Sequence, residues 1–452
     1  MIGISEEIIK RNNELIRKFK TEFEINNEPI EVKFRELIPE LKSGDRYTHL
    51  IHSYPAKLLV HIPYFFLNNT VFSKKGDNIL DPFNGSGTVY LEGLLSGRNV
   101  YGADSNPLAK LIAKVKSTKY ETKILEYTLS KLINDVIESD DKVFAEVVNC
   151  DLWFSSRTKN ELSRLLFQIK KIEDNNIRDF MLMSFSNCVK KASYADPRIS
   201  VPVKLNAERY NYNIELKEKI LKKINEIDNL DVIQKFESIT MDNIKKFKRL
   251  ELTSIEKNQL KHISNDARCL YKNEKELIDD NSIQLIVTSP PYAGAQKYIR
   301  SSSLNLGWTQ LANVSELRIL DKKNIGREIY AISETNIIET EIKEADDLIN
   351  KVKLINKSRA NIVCQYIIQM KKAIDEMIRV LKNEGFLIIV IGNNKVCNYE
   401  FNTQEYLTTY IIEKGLKLEF KLIDSIKSYG LMTKRNKTAD IISREYILVF
   451  KK

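Results

Sequence analysis

The feature that most constrains the fold is an α/β pattern over residues 78–104. Residues 78–80 (Asn-Ile-Leu) read as a strand that enters the loop 81–88 (Asp-Pro-Phe-Asn-Gly-Ser-Gly-Thr), a helix follows, and the next strand ends at Asp104. Glycines in such a turn let the backbone approach a ligand, and the start of the helix supplies free amide groups. A carboxylate about 20 residues further on can reach ribose hydroxyls. The pattern predicts an open α/β sheet with a nucleoside site at its carboxyl edge.

The same loop argues against two common classes of nucleotide-binding protein. It lacks the Lys-[Ser/Thr] pair of a phosphate-binding loop, and its glycines do not have the Gly-x-Gly-x-x-Gly spacing of typical nicotinamide enzymes. A nucleoside with little phosphate, such as S-adenosylmethionine, fits better. The alternative is a structural tight turn without a ligand.

A second feature is the apolar run 283–287, which ends in Thr288-Ser289-Pro290-Pro291-Tyr292. Proline donates no backbone hydrogen bond, so a strand that stops at a rigid turn is expected. The Ser289 and Pro290 carbonyls are then expected to point outward, beside a hydroxyl and a phenol ring. Such a group of atoms could receive a flat molecule that carries an amino group. A Pro-Pro turn with a surface tyrosine explains the pentapeptide alone equally well.

Composition sets wider limits. Lys and Arg (71) exceed Asp and Glu (61), giving a formal net charge of +10 that favours a polyanionic partner, although a lysine-rich surface is the simpler explanation. The five cysteines lie far apart, without C-x-x-C pairs or His in metal-ligand spacing, so neither zinc nor disulfides are expected. The sequence shows no secretory leader and no apolar stretch of membrane length, and a cytoplasmic location is expected.

The chain is too long for one average domain. We expect an N-terminal helical extension (1–48), the first part of the α/β domain (49–118), a mainly helical, lysine-rich insertion (119–260), and the second part of the α/β domain (261–452). Residues 418–426 and 445–450 are expected to pair as an antiparallel C-terminal hairpin.

The motifs at 81–88, 102–109 (Gly-Ala-Asp-Ser-Asn-Pro-Leu-Ala) and 288–292 together resemble those of the amino-group DNA methyltransferases. Tyr54-Pro55-Ala56-Lys57 is similar to the segment with which that family holds the methionine end of its cofactor, and Asn265-Asp266-Ala267-Arg268 to the acidic loop that faces the adenine amine. The resemblance covers about 49–116 and 261–452. It implies a Rossmann-like, mostly parallel sheet, S-adenosylmethionine as cofactor and double-stranded DNA as partner.

The resemblance also implies roles for individual residues. Catalysis is assigned to Ser289, Pro290, Pro291 and Tyr292. Cofactor binding is assigned to Tyr54, Pro55, Lys57, Asp81, Pro82, Phe83, Gly85, Gly87, Thr88, Asp104, Ser105, Asn106, Asp266 and Ala267. The basic run Lys434, Arg435 and Lys437 is a candidate for contacts with DNA phosphates, and a solvated charge run is its simpler explanation. No metal site is expected.

Within the family, Ser-Pro-Pro-Tyr is usual for enzymes that methylate cytosine N4, and Asp-Pro-Pro-Tyr for those that methylate adenine N6. The resemblance therefore implies N4-methylcytosine as the product, in a restriction-modification or phage-defence setting, with any restriction endonuclease on a separate chain. Adenine-N6 methylation, methylation of guanine N2 in tRNA, and a DNA-recognition subunit without transfer activity remain alternatives. The insertion is the expected seat of target recognition, with a structural cap or dimerisation domain as its alternative.

Overall fold

The fold is described from a computed structural model that covers residues 5–42, 46–55, 57–253, 255, 261–294, 297–425 and 444–452. Its strands are β1 Ile30–Val32, β2 Asn78–Asp81, β3 Asn99–Ala103, β4 Lys261–Ser264, β5 Ile283–Thr288, β6 Leu381–Ile391, β7 Asn394–Val396, β8 Tyr399–Phe401, β9 Lys417–Ser425 and β10 Arg444–Lys451.

The helices lie on the faces of the sheet and in the insertion. They are α1 Glu6–Asn26, α2 Phe34–Leu37, α3 His61–Leu67, α4 Thr88–Leu95, α5 Pro107–Ser117, α6 Thr122–Glu138, α7 Cys150–Trp153, α8 Ser156–Lys170, α9 Asn175–Lys191, α10 Ile214–Asp228, α11 Val232–Glu251, α12 Tyr298–Trp308, α13 Val314–Lys323, α14 Lys343–Ile355, α15 Lys357–Val380 and α16 Thr403–Glu413.

The eight-stranded sheet has the order β1-β9-β10-β6-β5-β2-β3-β4. Strands β4, β3, β2, β5 and β6 pair in parallel, and β10 is antiparallel to both of its neighbours, β6 and β9. The central strands are buried on both faces, which is why β6 reads in the sequence as an almost continuous apolar run. The predicted fold class, a mostly parallel α/β sheet with an antiparallel C-terminal hairpin and a helical insertion, is confirmed.

The N-terminal segment differs from the expected helical extension. Helix α1 covers most of it, but Ile30–Val32 form β1, which pairs in parallel with β9 at the edge of the main sheet. Phe19 of α1 packs against Phe65 and Phe420. A strand of three residues is too short to show a periodic pattern, so no sequence signal predicts it.

The helices of the insertion enter the chain between α5 and β4. Helix α9 packs against α5 and α12, so the insertion shares one hydrophobic cluster with the helical layer of the sheet. Phe180, Tyr120 and Phe247 form an aromatic contact within this cluster. The insertion is therefore packed against α5 and α12, the helices that follow β3 and β5 in the chain.

Candidate functional site

A cleft lies at the carboxyl edge of the sheet, where the loops after β2, β3, β4 and β5 meet. The cleft is lined by Tyr54, Pro82, Phe83, Gly85, Ala103, Asp104, Ser105, Asn265, Asp266, Ala267, Ser289, Pro291, Tyr298, Lys323, Asn324 and Ile325. The structure thus brings the two main sequence motifs to one cavity although about 200 positions separate them.

Asp104 closes the glycine loop from the end of β3. Its carboxylate accepts the backbone N–H of Gly85 at 2.9 Å and that of Asn106 at 2.7 Å, so it ties the loop after β2 to the start of α5. Burial raises the pKa of Asp104 to about 6, and the two backbone hydrogen bonds oppose that rise. Each carboxylate oxygen keeps a further acceptor position, which a ribose hydroxyl can use.

Asp81 was predicted to bind cofactor, but it is buried behind the loop and does not line the cleft. It accepts the backbone N–H of Phe83 at 3.1 Å and the hydroxyl of Thr288 at 2.7 Å. Burial raises its pKa to about 7. Asp81 therefore joins the ends of β2 and β5, the two strands that carry the motifs.

The two glycines of the loop have different surroundings. Gly85 lines the cleft with φ +49°, and a Cβ there would meet Tyr54 Cε1 only at 3.8 Å. Gly87 has φ +74° and faces α5, where a Cβ would lie 2.8 Å from the Cβ of Ala113. Gly87 is thus needed for the packing of α4 on α5, and it does not line the cleft. Thr88, also predicted to bind cofactor, is buried at the first position of α4.

Ser105 and Asn106 follow Asp104 and connect it to other parts of the chain. Ser105 Oγ donates to Asn324 Oδ1 at 2.7 Å. Asn106 is buried, caps α5 by accepting Leu108 N–H, and donates to Tyr54 OH at 3.2 Å. Ser105 lines the cleft, whereas Asn106 supports the tyrosine that does so.

The residues of the Tyr-Pro-Ala-Lys segment differ in whether they line the cleft. Tyr54 lines the cleft, and Pro55 lines a neighbouring polar pocket. Lys57 is outside the cleft; its Nζ donates to the backbone carbonyls of His49 at 3.3 Å and His52 at 2.5 Å. Burial and the nearby Lys246 lower the pKa of Lys57 to about 8. Lys57 thus stabilises the segment through backbone hydrogen bonds and does not contact the cleft.

At the end of β4, Asp266 and Ala267 line the cleft as expected. The Asp266 carboxylate accepts Arg268 Nε at 2.9 Å and Nη2 at 2.7 Å. Arg268 also donates to the backbone carbonyl of Lys323 at 2.9 Å. The acidic loop is therefore tied to the end of α13.

The Ser-Pro-Pro-Tyr loop follows β5. Ser289 and Pro291 line the cleft, Pro290 is buried, and no hydrogen bond in the described part of the chain uses the Ser289 hydroxyl or the Pro290 carbonyl. Tyr292 is half-buried and donates its phenol hydrogen to Glu445 Oε1 at 2.9 Å. Burial, followed by the charge of Glu445, holds the pKa of Tyr292 well above its ordinary value.

Sequence reasoning missed one wall of the cleft. Lys323, Asn324 and Ile325, at the end of α13 and just after it, line the cavity, and Gly326 follows with φ +75°. A Cβ on Gly326 would lie 2.8 Å from the carbonyl oxygen of Tyr292. The glycine was the available signal, but it stands in a charged segment without a recognisable motif.

The residues of the cleft fit S-adenosylmethionine. Asp104 offers acceptors for ribose hydroxyls, Asp266 offers one for an adenine amine, and Phe83 lines the same cleft. In the glycine loop, the buried Ser86 hydroxyl and both polar atoms of the Asn84 side chain lack a hydrogen-bond partner among the described residues. Neither residue lines the cleft itself.

Comparison with known proteins agrees with this geometry. Residues 6–115, which include the glycine loop and Asp104, match the family described as DNA methylase, the N6/N4 methyltransferases. The Type II methyltransferase M.MvaI of Kocuria varians is 26% identical over 373 residues, covering 77% of this chain and 77% of the relative. The chain belongs to the amino-group DNA methyltransferases.

Two further relatives of this amino-group DNA methyltransferase match over shorter stretches. The Type II methyltransferase M.MjaII of Methanocaldococcus jannaschii is 30% identical over 154 residues, which are 32% of this chain and 28% of the relative. M.BsoBI of Geobacillus stearothermophilus is 27% identical over 251 residues, which are 52% and 47% of the two chains. The family methylates amino groups in DNA and implies S-adenosylmethionine as the methyl donor.

Three remaining expectations concern other parts of this methyltransferase. Lys434, Arg435 and Lys437 lie outside the described residues. Among the residues that are described, no group of three or more His, Cys, Asp or Glu side chains is placed to hold a metal ion. No helix in the described ranges combines the length and the apolar character needed to cross a membrane.

Proposed function

We propose that this protein transfers a methyl group from S-adenosylmethionine to the N4 amine of cytosine in double-stranded DNA. The observation that carries the proposal is Ser289, which stands where adenine-N6 enzymes usually have an aspartate and lines the cleft beside the cofactor-binding loops. Its hydroxyl is not used by another described residue. Adenine N6 is the alternative target, since adenine also presents an exocyclic amine next to a ring nitrogen.

The cofactor would be held by five residues that line one cavity. Asp104 would accept ribose hydroxyls, Asp266 the adenine amine, and Tyr54, Phe83 and Gly85 would border the rest of the molecule. S-adenosylmethionine supplies the electrophilic methyl group when it is bound. Asn106 and Lys57 support this site by holding Tyr54 and its segment in place.

The transfer step depends on the lone pair of the exocyclic nitrogen, which is delocalised into the base. Ser289 Oγ and the Pro290 carbonyl would accept the two amino hydrogens and so direct the lone pair toward the methyl group. The base must leave the duplex to reach the cleft, and Tyr292 would stack on it there. No covalent bond between enzyme and base is required, so none of the five cysteines takes part.

Target recognition is proposed for the insertion, residues 119–260. A groove is lined by Asn149, Trp153 and Pro202 of the insertion together with Arg300 and Arg318, and also by Lys297, Asp321 and Glu328. Both arginines are exposed, as expected for contacts with a polyanion. Trp153→Ala should change the methylated sequence or lower its occupancy while cofactor affinity stays within about twofold, and an unchanged pattern and occupancy would contradict this assignment.

The remaining parts of the proposal concern setting and partners. The relatives named as Type II methyltransferases favour a restriction-modification setting. We also propose a cytoplasmic location, with any restriction endonuclease on another chain. Lys434, Arg435 and Lys437 are proposed to contact DNA phosphates, which predicts that replacing all three with Gln reduces the salt dependence of DNA binding by about three counterions. An unchanged salt slope would contradict that role.

The decisive experiment is to express the protein in a host without DNA methylation and to sequence the DNA by polymerase kinetics. N4-methylcytosine at one sequence motif is expected, and it should be absent from cells that express Ser289→Ala. N6-methyladenine at a motif would show that adenine is the target base, and it would still agree with the family assignment. Unmodified DNA together with methyl transfer to tRNA in vitro would overturn the proposal.

A further inference from the structure

The phenol of Tyr292 is fixed by a residue from the far end of the chain. Tyr292 OH donates to Glu445 Oε1 at 2.9 Å, although 153 positions separate the two residues. Tyr292 belongs to the loop after β5, whereas Glu445 is the second residue of β10. Glu445 belongs to no motif noted in the sequence, and it does not line the cofactor cleft.

The topology of the sheet explains how Glu445 reaches the loop. Because β10 is antiparallel to β6, its amino-terminal end lies at the edge where the parallel strands β5 and β6 end. Tyr446 pairs with Ile391, the last residue of β6, so Glu445 lies one position beyond the end of that strand. Its side chain can therefore meet the loop that leaves β5.

The neighbours of Glu445 act on the charge of its carboxylate in opposite directions. Burial and the charge of Asp424, its partner on β9, raise the pKa of Glu445, while the hydrogen bond from Tyr292 lowers it. The phenol therefore favours the charged form of Glu445. A hydrogen bond to a carboxylate is stronger and more directional than one between neutral groups.

We propose that Glu445 is a positioning residue that holds the Tyr292 side chain in the rotamer from which its ring stacks on the target base. The inference rests on the proposed role of Tyr292 at the extruded base. The main chain of Tyr292 packs closely against Gly326. A Cβ added to that glycine would lie 2.8 Å from the Tyr292 carbonyl oxygen. The loop is thus closely packed at its backbone, and the bond to Glu445 selects the χ1 rotamer of Tyr292, because only one rotamer brings the hydroxyl to the carboxylate.

The test is a double-mutant cycle under single-turnover conditions at saturating DNA and cofactor. Tyr292→Phe and Glu445→Ala should each lower the rate of methyl transfer about tenfold, and the double variant should be no slower than either single variant. Glu445→Gln keeps an acceptor oxygen and should recover most of the rate. The affinities for cofactor and DNA should stay within about twofold in all four variants.

The control is Glu413→Ala, which removes an exposed glutamate at the end of α16 and should leave the rate unchanged. A double variant about 100-fold slower, the product of two independent effects, would overturn the inference. So would a Glu445→Ala variant with an unaltered rate, or one that loses cofactor affinity as strongly as transfer.

The cycle is independent of which amine is methylated, since the rate is measured on whichever DNA base the wild type modifies. If the wild type modifies neither base, the proposed function fails, and the positioning role is read from crystal structures of the wild type and Glu445→Ala. A ring that rotates away in the variant supports the role. A ring that keeps its position contradicts it.

Discussion

The two loops of the site are held in different ways. The glycine loop after β2 is held from nearby in the sequence, by Asp81 within it and by Asp104 at the end of the next strand. The loop after β5 is held by residues far along the chain, namely Glu445 and the close packing of Gly326. A motif can therefore describe the first loop almost completely, whereas it describes only the ligand-facing surface of the second.

The loops also differ in what their residues can be expected to do. Around the glycine loop, charged and backbone groups that fit a nucleoside line the cleft. In the loop after β5, the Ser289 hydroxyl is free among the described residues, and a half-buried tyrosine lies next to it. This comparison predicts that substitutions in the first loop act on folding or cofactor affinity and those in the second on transfer.

The largest expected effect is in the loop after β5. Ser289→Ala removes an acceptor for the amino hydrogens, and Tyr292→Ala removes the stacking ring, so each should abolish methyl transfer while cofactor affinity stays within about tenfold. Transfer is measured with radiolabelled cofactor, and affinity by calorimetry. If Tyr292→Ala lost cofactor affinity and transfer equally, the division of roles between the loops would be wrong.

The next effect distinguishes the two glycines of the first loop. Gly87→Val places a Cβ 2.8 Å from Ala113 Cβ in a backbone with φ +74°, so overpacking and strain should together lower the free energy of unfolding by more than about 3 kcal/mol. Gly85→Ala meets no close atom and should cost about 1 kcal/mol. Chemical denaturation measures both. Equal losses would contradict the packing role of Gly87.

These two glycines show which features of the site the sequence can predict and which it cannot. The motif predicted the strand, the tight turn, the following helix and the cavity at the carboxyl edge, because local residue types determine all of them. It assigned the same role to Gly85 and Gly87, and it placed Asp81 with the ligand, since side-chain direction depends on the packing of α5 and β5. Asn324 and Glu445 had no local signal: the packing of the segment after α13 brings the first to the site, and the sheet order brings the second beside it.

A smaller effect is expected at Asp104. Asp104→Asn keeps one acceptor oxygen but turns an N–H toward the loop, and it should weaken cofactor binding about 100-fold in a calorimetric titration. Asp77→Asn, at the distant end of β2, should leave affinity unchanged. Unaltered binding by Asp104→Asn would show that the carboxylate serves only the loop.

Asp104 also predicts a pH dependence. Because burial raises its pKa to about 6, wild-type affinity for cofactor should fall about tenfold per pH unit below pH 6, and Asp104→Asn should lack this dependence. The effect of pH on the free energy of unfolding has the opposite sign to its effect on cofactor affinity. The folded carboxyl binds its proton more tightly than the unfolded one, so its contribution to the free energy of unfolding falls as pH rises from about 4 to 6. Chemical denaturation of the cofactor-free protein at several pH values measures this change in the free energy of unfolding.

The smallest effect is expected at the contact that joins the two loops. Thr288→Val keeps the shape of the buried side chain but removes the hydroxyl that donates to Asp81 at 2.7 Å. Because the bond is stronger to a carboxylate than to a carboxyl group, and the pKa of Asp81 is about 7, the loss of unfolding free energy should be about 2 kcal/mol at pH 8.5 and about 1 kcal/mol at pH 5.5.

The matched control for that contact is Thr240→Val. Thr240 is equally buried, but its hydroxyl donates to the backbone carbonyl of Phe236 at 2.7 Å, which does not titrate. Its loss of unfolding free energy should therefore be the same at both pH values. If Thr288→Val were also independent of pH, Asp81 would not ionise in this range, and the two loops would be joined by a bond between neutral groups. The loops would then still be connected, but Asp81 would carry no charge that makes their contact sensitive to pH.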